Sequence, residues 1–475
     1  MTALAFSSNE SATLERTVEV EGNIEFTPNE LVPEKYDLQK CITWIQNEKL
    51  ERVCLQLPDC LLPDSFPIAI YLEEGLGQKV YVLGDTSYGS CCIDEVTAQH
   101  VGADGIIHFG HACLSPTTRL PIYHVLPKQE INVTEFCKEF DRFFEDRTKD
   151  LLFFYDISYA HAIEKIYESL KDKFKNLLLT KLNCKSNVNY TERTDDESNI
   201  ILGRSYTLEN DCKNEDYEMF FLGPGGKTLA NLAMTIPAKN WYYSEGGGIK
   251  KFEALNTPWL KRRRFLVEKL KDAKVVGIVV ATLGIKNYLN IISSLKSTLR
   301  KVNKKTYTLC VGKINPAKLA NFPEMDAFVV IACPESEIFE SRDFLKPMLL
   351  PYEVDLAFNS SREFSQNYCM DFNQILPGGI NYVNFQASTE PDISLISGGV
   401  RGSKEDEPSS SEMNAIACKS DGTVAIGKAG ANFLQARSWK GLEQRLGQDE
   451  VKSSVQGRSG IPVSYENEPI NKETN

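Results

Sequence analysis

Short apolar runs alternate with amphipathic stretches along this chain, and that alternation constrains its fold more than any other feature. In the first part of the chain the apolar runs are RVCLQLP, KVYVLGD, DGIIHFG and LPIYHVL. Helix-like stretches such as DEVTAQHVG lie between them. Strands that alternate with helices predict parallel βαβ units. The sequence therefore predicts an α/β protein with parallel sheets.

The same order of elements occurs three times. A second round opens at DLLFFYD and continues through NLLLTKL, NIILGRSY and EMFFLGPGG, and a third opens at KVVGIVV. Repetition of this kind favours internal triplication, here in element order and not in residue identity. We expect α/β domains at residues 34–150, 151–268 and 269–390. The polar residues 1–33 predict a mobile tail, and residues 391–475 a linker and C-terminal extension.

Charge and the N-terminal residues restrict the kind of partner. The chain has 53 basic and 65 acidic residues, for a net charge of −12. This balance argues against a protein whose main activity is to coat nucleic acid or an anionic membrane. The N-terminus has neither the basic start nor the apolar run of a secretory signal. We expect a cytoplasmic protein with no direct nucleic-acid partner and no membrane partner.

Cysteine placement gives the first indication of chemistry. The chain has 13 cysteines, which in a reducing compartment are buried thiols, catalytic thiols or metal ligands. Functional residues of an open parallel sheet gather where strands end, and Cys91, Cys113 and Cys333 each follow a predicted strand. Cys91 and Cys92 also precede a predicted helix, whose first backbone amides favour a thiolate.

Core packing and zinc binding are alternatives for these cysteines. Cysteine is among the most buried residue types, so burial alone could account for several of the remaining ones. These are Cys41, Cys54, Cys60, Cys137 and Cys310. His108 and His111 lie near Cys113 and permit a zinc site, although the tight paired spacing of most zinc ligands is missing.

Five segments of the chain resemble one known family. YGSCCIDE, IHFGHACLSP, IACPESEIF, LLPYEVDLAF and ARSWKGLEQRLG are similar to segments of diphthamide biosynthesis proteins 1 and 2. The resemblance extends over nearly the whole chain. The late segment from Arg437 to Glu443 is more similar to the second of these proteins.

This resemblance implies a cofactor, a reaction and partners. Family members have three domains whose cysteines converge on one [4Fe-4S] cluster at a pseudo-threefold centre. Thiolates hold the irons, and an open iron binds S-adenosylmethionine. A 3-amino-3-carboxypropyl group then passes to a histidine of translation elongation factor 2. The implied partners are diphthamide biosynthesis protein 1 in a heterodimer, an electron-donor protein (diphthamide biosynthesis protein 3) and elongation factor 2 as substrate.

The resemblance also implies a ligand set, with one departure from the family. By matching motifs, Cys91 is the domain-one ligand and Cys333 the domain-three ligand. In domain two the family has a cysteine in a Leu-Gly-Cys context, where this chain has Arg204. Arginine stays protonated and cannot ligate iron. We therefore expect Cys113 to be the third ligand and Cys92 to pack beside Cys91, with no catalytic residue in this chain.

Three functions stay open at this point. The chain could be an iron–sulfur subunit that supports reduction of the catalytic cluster in its partner, or a purely structural partner with a vestigial site. A stand-alone enzyme of the quinolinate synthase kind also uses three similar α/β domains and three cysteines. The segment around Trp439 and the missing domain-two cysteine argue against that last function.

Overall fold

The computed structural model describes residues 26–401, and it describes the backbone of four short strands between residues 417 and 465. Within the first range it leaves out residues 85–88, 118, 185–198, 209–211, 254–256, 313, 337–342, 364–367, 380 and 389–390. Residues 1–25 of the expected tail and the segment around Trp439 lie outside the described residues. The chain divides into two units, Met1–Glu407 and Pro408–Asn475.

The first α/β domain has four parallel strands with helices on both faces. Its helices α1 to α4 are Val32–Lys35, Leu38–Glu48, Ser65–Leu76 and Glu95–His100, and a 3-10 helix spans Asp59–Asp64. Its strands β1 to β4 are Val53–Gln56, Val80–Leu83, Gly105–Phe109 and Ile122–Val125, in the order β2-β1-β3-β4. The strands β1 and β3 are buried at every position because both faces of the sheet are covered.

The second domain repeats this sheet and adds a small antiparallel one. Its helices α5 to α7 are Val133–Phe143, Ile163–Lys171 and Lys227–Thr235, with 3-10 helices at Ile157–Tyr159 and Asn214–Asp216. Its strands β5 to β12 are Leu151–Tyr155, Leu177–Leu179, Lys181–Leu182, Asn199–Ile201, Arg204–Tyr206, Glu218–Leu222, Asn240–Ser244 and Lys250–Phe252. The main sheet has the order β12-β11-β10-β5-β6, in which β12 is antiparallel. The small sheet has the order β7-β9-β8.

The run NIILGRSY does not form a single strand as its composition suggested. It is divided between β8 and β9, which pair antiparallel. The turn between them is formed by Leu202 with φ +48° and Gly203 with φ +72°, both in the left-handed region. Such a turn reverses the chain, and glycine adopts this backbone without the steric cost that a side chain brings.

The third domain again has four parallel strands. Its helices α8 to α11 are Pro258–Asp272, Tyr288–Lys301, Pro316–Ala320 and Pro351–Phe358, and a 3-10 helix spans Phe372–Ile375. Its strands β13 to β16 are Val275–Val280, Lys305–Cys310, Ala327–Ile331 and Met348–Leu349, in the order β14-β13-β15-β16. The strands β17 (Asp392–Ile393) and β18 (Val400–Arg401) form a separate antiparallel pair. The second unit contains β19 to β22, which are Ala417–Ser420, Thr423–Ile426, Gly460–Ile461 and Ser464–Tyr465.

All three domains share one strand order. We number the strands of each main sheet in chain order, leaving out the small sheet of the second domain. The second strand then pairs with the first, the first with the third, and the third with the fourth. The three orders are β2-β1-β3-β4, β6-β5-β10-β11 and β14-β13-β15-β16. Every one of these pairs is parallel. The prediction of three similar Rossmann-like domains is therefore confirmed. In such sheets loops with functional residues leave from the carboxyl ends of the strands.

A buried ion pair fastens α11 to α8. Arg263 and Glu353 are 1% and 0% exposed, and the Arg263 Nε donates to Glu353 Oε1 at 2.6 Å. The Arg263 Nη2 and the Tyr368 hydroxyl also donate to this carboxylate. The backbone N–H of Leu350 donates to Glu353 Oε2 at 2.7 Å. This network satisfies both carboxylate oxygens, as a buried charge requires.

Among the described residues, none of the helices combines the length and the apolar character needed to cross a membrane.

Candidate metal centre

Four cysteine thiols meet where the first and third domains come together. The Sγ atoms of Cys91, Cys92, Cys113 and Cys333 all lie within 4.8 Å of one another. The Sγ of Cys91 is 3.6 Å from that of Cys333 and 3.9 Å from that of Cys92. The structure thus brings the three expected thiols together and adds Cys92, which we expected only to pack beside them. Below, these four residues are called the thiol group.

Each member of the thiol group stands after a parallel strand. Cys91 and Cys92 follow β2, Cys113 follows β3, and Cys333 comes two residues after β15 ends at Ile331. The Cys113 backbone N–H donates to the Cys91 carbonyl at 3.2 Å, so the two domain-one loops are joined directly. The group therefore assembles where a topological argument from parallel strands places functional residues.

A buried glutamine fixes the backbone that carries the vicinal pair. Gln56, the last residue of β1, is 1% exposed, and its Nε2 donates to the Cys92 carbonyl at 2.8 Å. Its Oε1 accepts from the backbone N–H of Asp94 at 3.0 Å. Asp94 caps α4, because its Oδ1 accepts from the Thr97 backbone N–H at 2.9 Å. The backbone from residue 92 to residue 94 is therefore held by both the sheet and the helix.

The third domain approaches this segment closely enough to require a glycine. A Cβ atom on Gly284 would lie 2.7 Å from the Ile93 carbonyl oxygen, closer than real Cβ atoms come to such an atom. A cavity beside the thiol group is lined from both domains, among others by Leu114, His124 and Ile285. The centre is thus built at the contact of two domains and not inside either one.

The second domain gives no member of the thiol group, and it buries the cation of Arg204. Arg204 is 2% exposed; its Nη1 donates to the Leu202 carbonyl at 2.9 Å, and its Nε has no partner among the described residues. A Cβ on Gly203 would overlap the Leu114 side chain and lie 2.9 Å from the Leu114 carbonyl oxygen. The turn that precedes Arg204 therefore abuts Leu114, the residue that follows Cys113. Arg204 itself is outside the thiol group.

Glu335, two residues after Cys333, contacts both other domains. Its Oε2 is 2.5 Å from His111 Nε2 in the first domain. In the second domain, the Thr228 hydroxyl donates to its Oε1 at 3.1 Å and the Lys227 ammonium to its carbonyl at 3.3 Å. Burial lowers the pKa of His111, but the hydrogen bond and charge of Glu335 outweigh this effect and leave that pKa raised.

The two histidines of the zinc alternative do not join the thiol group. His111 pairs with Glu335, and the His108 Nε2 lies 3.0 Å from the Ser90 carbonyl. His108 is 0% exposed, and burial lowers its pKa, which keeps the ring neutral. Within the described residues the donor set is therefore made of thiols alone.

Hydrogen bonds within the thiol group favour a thiolate at Cys113. Bonds from Cys333, Cys91 and Cys92 hold the pKa of Cys113 well below its usual range. Their hydrogen bonds with Cys113 raise the pKa of Cys92 and of Cys333, because a second thiolate beside that of Cys113 would be a like charge. Because metal ligation requires thiolates, this arrangement couples the loss of protons to the binding of a metal.

The donor set fits two kinds of metal centre. Thiolate-only sites select zinc or iron–sulfur clusters. Four sulfurs about 2.3 Å from one tetrahedral zinc would lie about 3.8 Å from one another. Four cysteines are also the common ligand set of a [4Fe-4S] cluster. The sulfur–sulfur distances of 3.6 and 3.9 Å agree with the spacing around one zinc ion. The number and type of donors agree with zinc and with the cluster.

The remaining cysteines separate into two sets. Burial explains Cys41 and Cys54, as expected, and also Cys369. It does not explain Cys60 and Cys310, which are exposed, so our expectation for these two was wrong. Cys137, Cys184 and Cys212 are partly buried and lie outside the thiol group. The side chain of Cys418 is not among the described residues.

Sequence reasoning missed two residues of the site. Cys92 was set aside because two neighbouring residues cannot easily both point at one cluster, but in the turn before α4 both sulfurs lie within 4.8 Å of those of Cys113 and Cys333. Glu335 was not considered, although a charged residue just after a buried strand is a usable signal for function.

The fold and the thiol group define a class: proteins of three repeated α/β domains with a group of thiols at a domain contact that could hold a metal. Residues 57–369 match the family described as "Putative diphthamide synthesis protein", and the chain belongs to this family. Two relatives carry the name "2-(3-amino-3-carboxypropyl)histidine synthase subunit 2". The protein from Xenopus laevis is 37% identical, with 98% of this chain and 99% of that protein covered. The protein from Schizosaccharomyces pombe is 31% identical, with 97% and 95% covered.

Two solved structures have a similar fold. The crystal structure of Dph2 from Pyrococcus horikoshii has a TM-score of 0.54 at 20% identity, covering 70% of this chain and 92% of that one. A second structure of the same protein, titled as containing a 4Fe-4S cluster, matches with the same TM-score and coverage. At this identity the likeness bears on the fold alone.

Proposed function

We propose that this chain is the iron–sulfur subunit of a heterodimeric 2-(3-amino-3-carboxypropyl)histidine synthase, which carries out the first step of diphthamide biosynthesis on elongation factor 2. The observation that carries the proposal is the group of four thiols at the contact of two domains. The family of the chain and the subunit name of its relatives support it.

In this proposal Cys91, Cys113 and Cys333 hold a [4Fe-4S] cluster. The cluster supplies one-electron chemistry when bound, and the protein tunes it through charge, hydrogen bonds and burial. Three of the four thiols are buried, and Cys91 is partly exposed. Glu335 keeps the loop after Cys333 against both other domains, which limits how far that ligand can move.

The role we assign is to support reduction of the catalytic cluster in diphthamide biosynthesis protein 1, with electrons from diphthamide biosynthesis protein 3. S-adenosylmethionine is the co-substrate of the whole complex. Group transfer requires reacting atoms about 3–3.5 Å apart, and a small displacement can cost a hundredfold in rate. Arg204 in place of the domain-two thiol changes the ligand geometry that the family uses for this step. Electron supply is less demanding of orientation, and so it can persist where transfer is lost.

A second function is favoured by two distances between sulfur atoms. The spacing of 3.6 and 3.9 Å suits a single tetrahedral metal, and a structural zinc would make this chain a non-redox partner. A stand-alone enzyme of the quinolinate synthase kind has no such support in the described residues.

The test is a transfer assay with labelled S-adenosylmethionine and a reductant on elongation factor 2. We expect labelling by the pair of subunits and none by this chain alone. Cys91→Ala should weaken labelling by the pair while the dimer persists, as gel filtration would show. Cys369→Ala is the matched control, since Cys369 is buried but lies outside the thiol group. Strong labelling by this chain alone would contradict the proposal, and zinc without acid-labile sulfide would favour the structural role.

A further inference from the structure

His124 lies beside the thiol group without belonging to it. It is the third residue of β4 and stands opposite His108 of β3 in the parallel register, with the two ring centroids 5.7 Å apart. Its side chain lines the cavity that Cys91, Cys92 and Cys113 also line. Within the described part of the chain, the set of residues that could hold a metal does not include it. His124 is therefore placed next to a bound metal centre without ligating it.

One polar atom of His124 has no partner. Its Nδ1 is closed off from solvent and makes no hydrogen bond to any of the described residues. A buried polar atom that is left without a partner costs free energy, and in a native protein it calls for an explanation. An apolar side chain would fill the same space without this cost. Core packing thus does not account for a histidine at this position.

The two stacked rings differ in what they can donate. Burial and the neighbouring His108 ring lower the pKa of His124 to about 3, and a neutral imidazole has one N–H donor and one acceptor. The Nε2 of His108 lies 3.0 Å from the Ser90 carbonyl, which can only accept, so the hydrogen of His108 is on this nitrogen. The N–H of His108 is therefore already used, and its Nδ1 is a bare acceptor. His124 is the ring that can offer an N–H to the cavity.

The sulfurs on the cavity wall can accept such a hydrogen bond. The Sγ of Cys113 lies 3.2 Å from the Ser115 hydroxyl oxygen, and Ser115 lines the same cavity as His124. Cysteines that ligate a metal are thiolates, which accept hydrogen bonds but donate none. A donor on this wall therefore gains an acceptor when the thiols become ligands.

Resting on the function proposed above, we propose that His124 donates a hydrogen bond to a sulfur of the cluster and so raises its reduction potential. A [4Fe-4S]²⁺ cluster that accepts one electron becomes more negative by one charge. An N–H donor to sulfur stabilises this more negative form, and hydrogen bonds to the sulfurs are among the features that set cluster potentials. His124 thus makes the cluster of this subunit easier to reduce, as electron supply from a donor protein requires.

The experiment is a redox titration of the full chain, reconstituted anaerobically with iron and sulfide and followed by EPR. Dithionite supplies one electron per cluster, and [4Fe-4S]²⁺ becomes [4Fe-4S]⁺. At the potential that reduces half of the clusters in the unaltered chain, His124→Leu should lower the ratio of reduced to oxidised cluster about fivefold or more. His124→Asn, which matches His124→Leu in size but keeps an N–H donor, should stay within about twofold of the unaltered chain. Tyr123→Leu is the matched control, since Tyr123 is also half-buried on β4 but packs against Trp44, and it should leave the ratio unchanged.

A ratio that is unchanged in His124→Leu, or that falls equally in His124→Asn, would overturn the inference. If the variants take up no cluster, the unaltered chain decides. With isotopically labelled histidine, hyperfine coupling of a histidine nitrogen to the reduced cluster would support the inference, and its absence would overturn it. An unaltered chain that takes up no acid-labile sulfide would refute the proposed function itself, whereas an intact cluster whose potential does not respond to His124→Leu refutes only this hydrogen bond.

Discussion

Removal of one partner of the buried Arg263–Glu353 pair should destabilise the third domain far more than removal of both. The two side chains are 1% and 0% exposed, and so each charge depends on the other for its compensation. A buried charge left alone costs about 3–5 kcal/mol, whereas replacement of the whole pair by apolar residues is often neutral. The two single variants are not equivalent, because their surroundings differ.

We expect Glu353→Leu to cost the most. It leaves Arg263 without its counter-charge, and it removes the acceptor of the Tyr368 hydroxyl and of the Leu350 N–H. The loss should therefore reach about 5 kcal/mol. Arg263→Met should cost less, about 3 kcal/mol, because the carboxylate keeps these two donors. The double variant should lose less than either single one, which makes the coupling energy several kcal/mol.

Urea denaturation followed by tryptophan fluorescence measures these differences. Trp259 reports on the site, because the Arg263 guanidinium lies 5.6 Å from its ring centroid. Lys173→Met is the control; its pair with Asp141 is solvent-exposed at 53% and 29% and should contribute no more than about 1 kcal/mol. Losses that simply add in the double variant, or a loss below about 1 kcal/mol for Glu353→Leu, would refute this reasoning.

Two further predictions concern the contacts around the thiol group. Gly203→Ala should destabilise the chain by more than about 1 kcal/mol and lower its bound metal, because the added Cβ meets Leu114 and φ is +72°; metal content unchanged from that of the unaltered chain would count against it. Glu335→Gln should lower the melting temperature at acid pH only. The raised pKa of His111 makes its pairing with Glu335 stabilising below the unfolded pKa, and this contribution disappears as pH rises through the folded pKa. A difference that stays constant across that pH range would show that the pair is not responsible.

The repeated sheets could be predicted from sequence because parallel strands that are buried on both faces consist of continuous apolar runs. Runs such as AFVVIAC and DLLFFYD became β15 and β5, each buried at all five positions. NIILGRSY has a similar composition but forms a hairpin, because its direction depends on backbone angles at two residues and not on hydrophobicity. Composition indicates that a segment forms a strand, and the backbone angles of a local turn determine whether it is one strand or a hairpin.

Part of the metal centre could be predicted for the same reason. Position after a strand singled out Cys91, Cys113 and Cys333, and the structure brings their thiols together. The place of Cys92 could not be predicted, because it depends on Gln56, a residue 36 positions earlier that reaches it only in the folded chain. The surroundings of Arg204 could not be predicted either. Burial lowers the pKa of Arg204 and the carboxylates of Glu335 and Asp156 act to raise it, but both acidic residues come from distant parts of the sequence.

The distance along the chain between two members of the thiol group has a consequence for biosynthesis. Cys91 and Cys333 are separated by 242 positions, and their sulfurs meet only after the third domain has folded against the first. At about 5–20 residues per second, a ribosome needs roughly 12–48 s to travel from one codon to the other. During that interval the thiols of the first domain have been made but have no partner from the third. The thiol group of a newly made chain is therefore complete only after its third α/β domain has left the ribosome and has folded against the first.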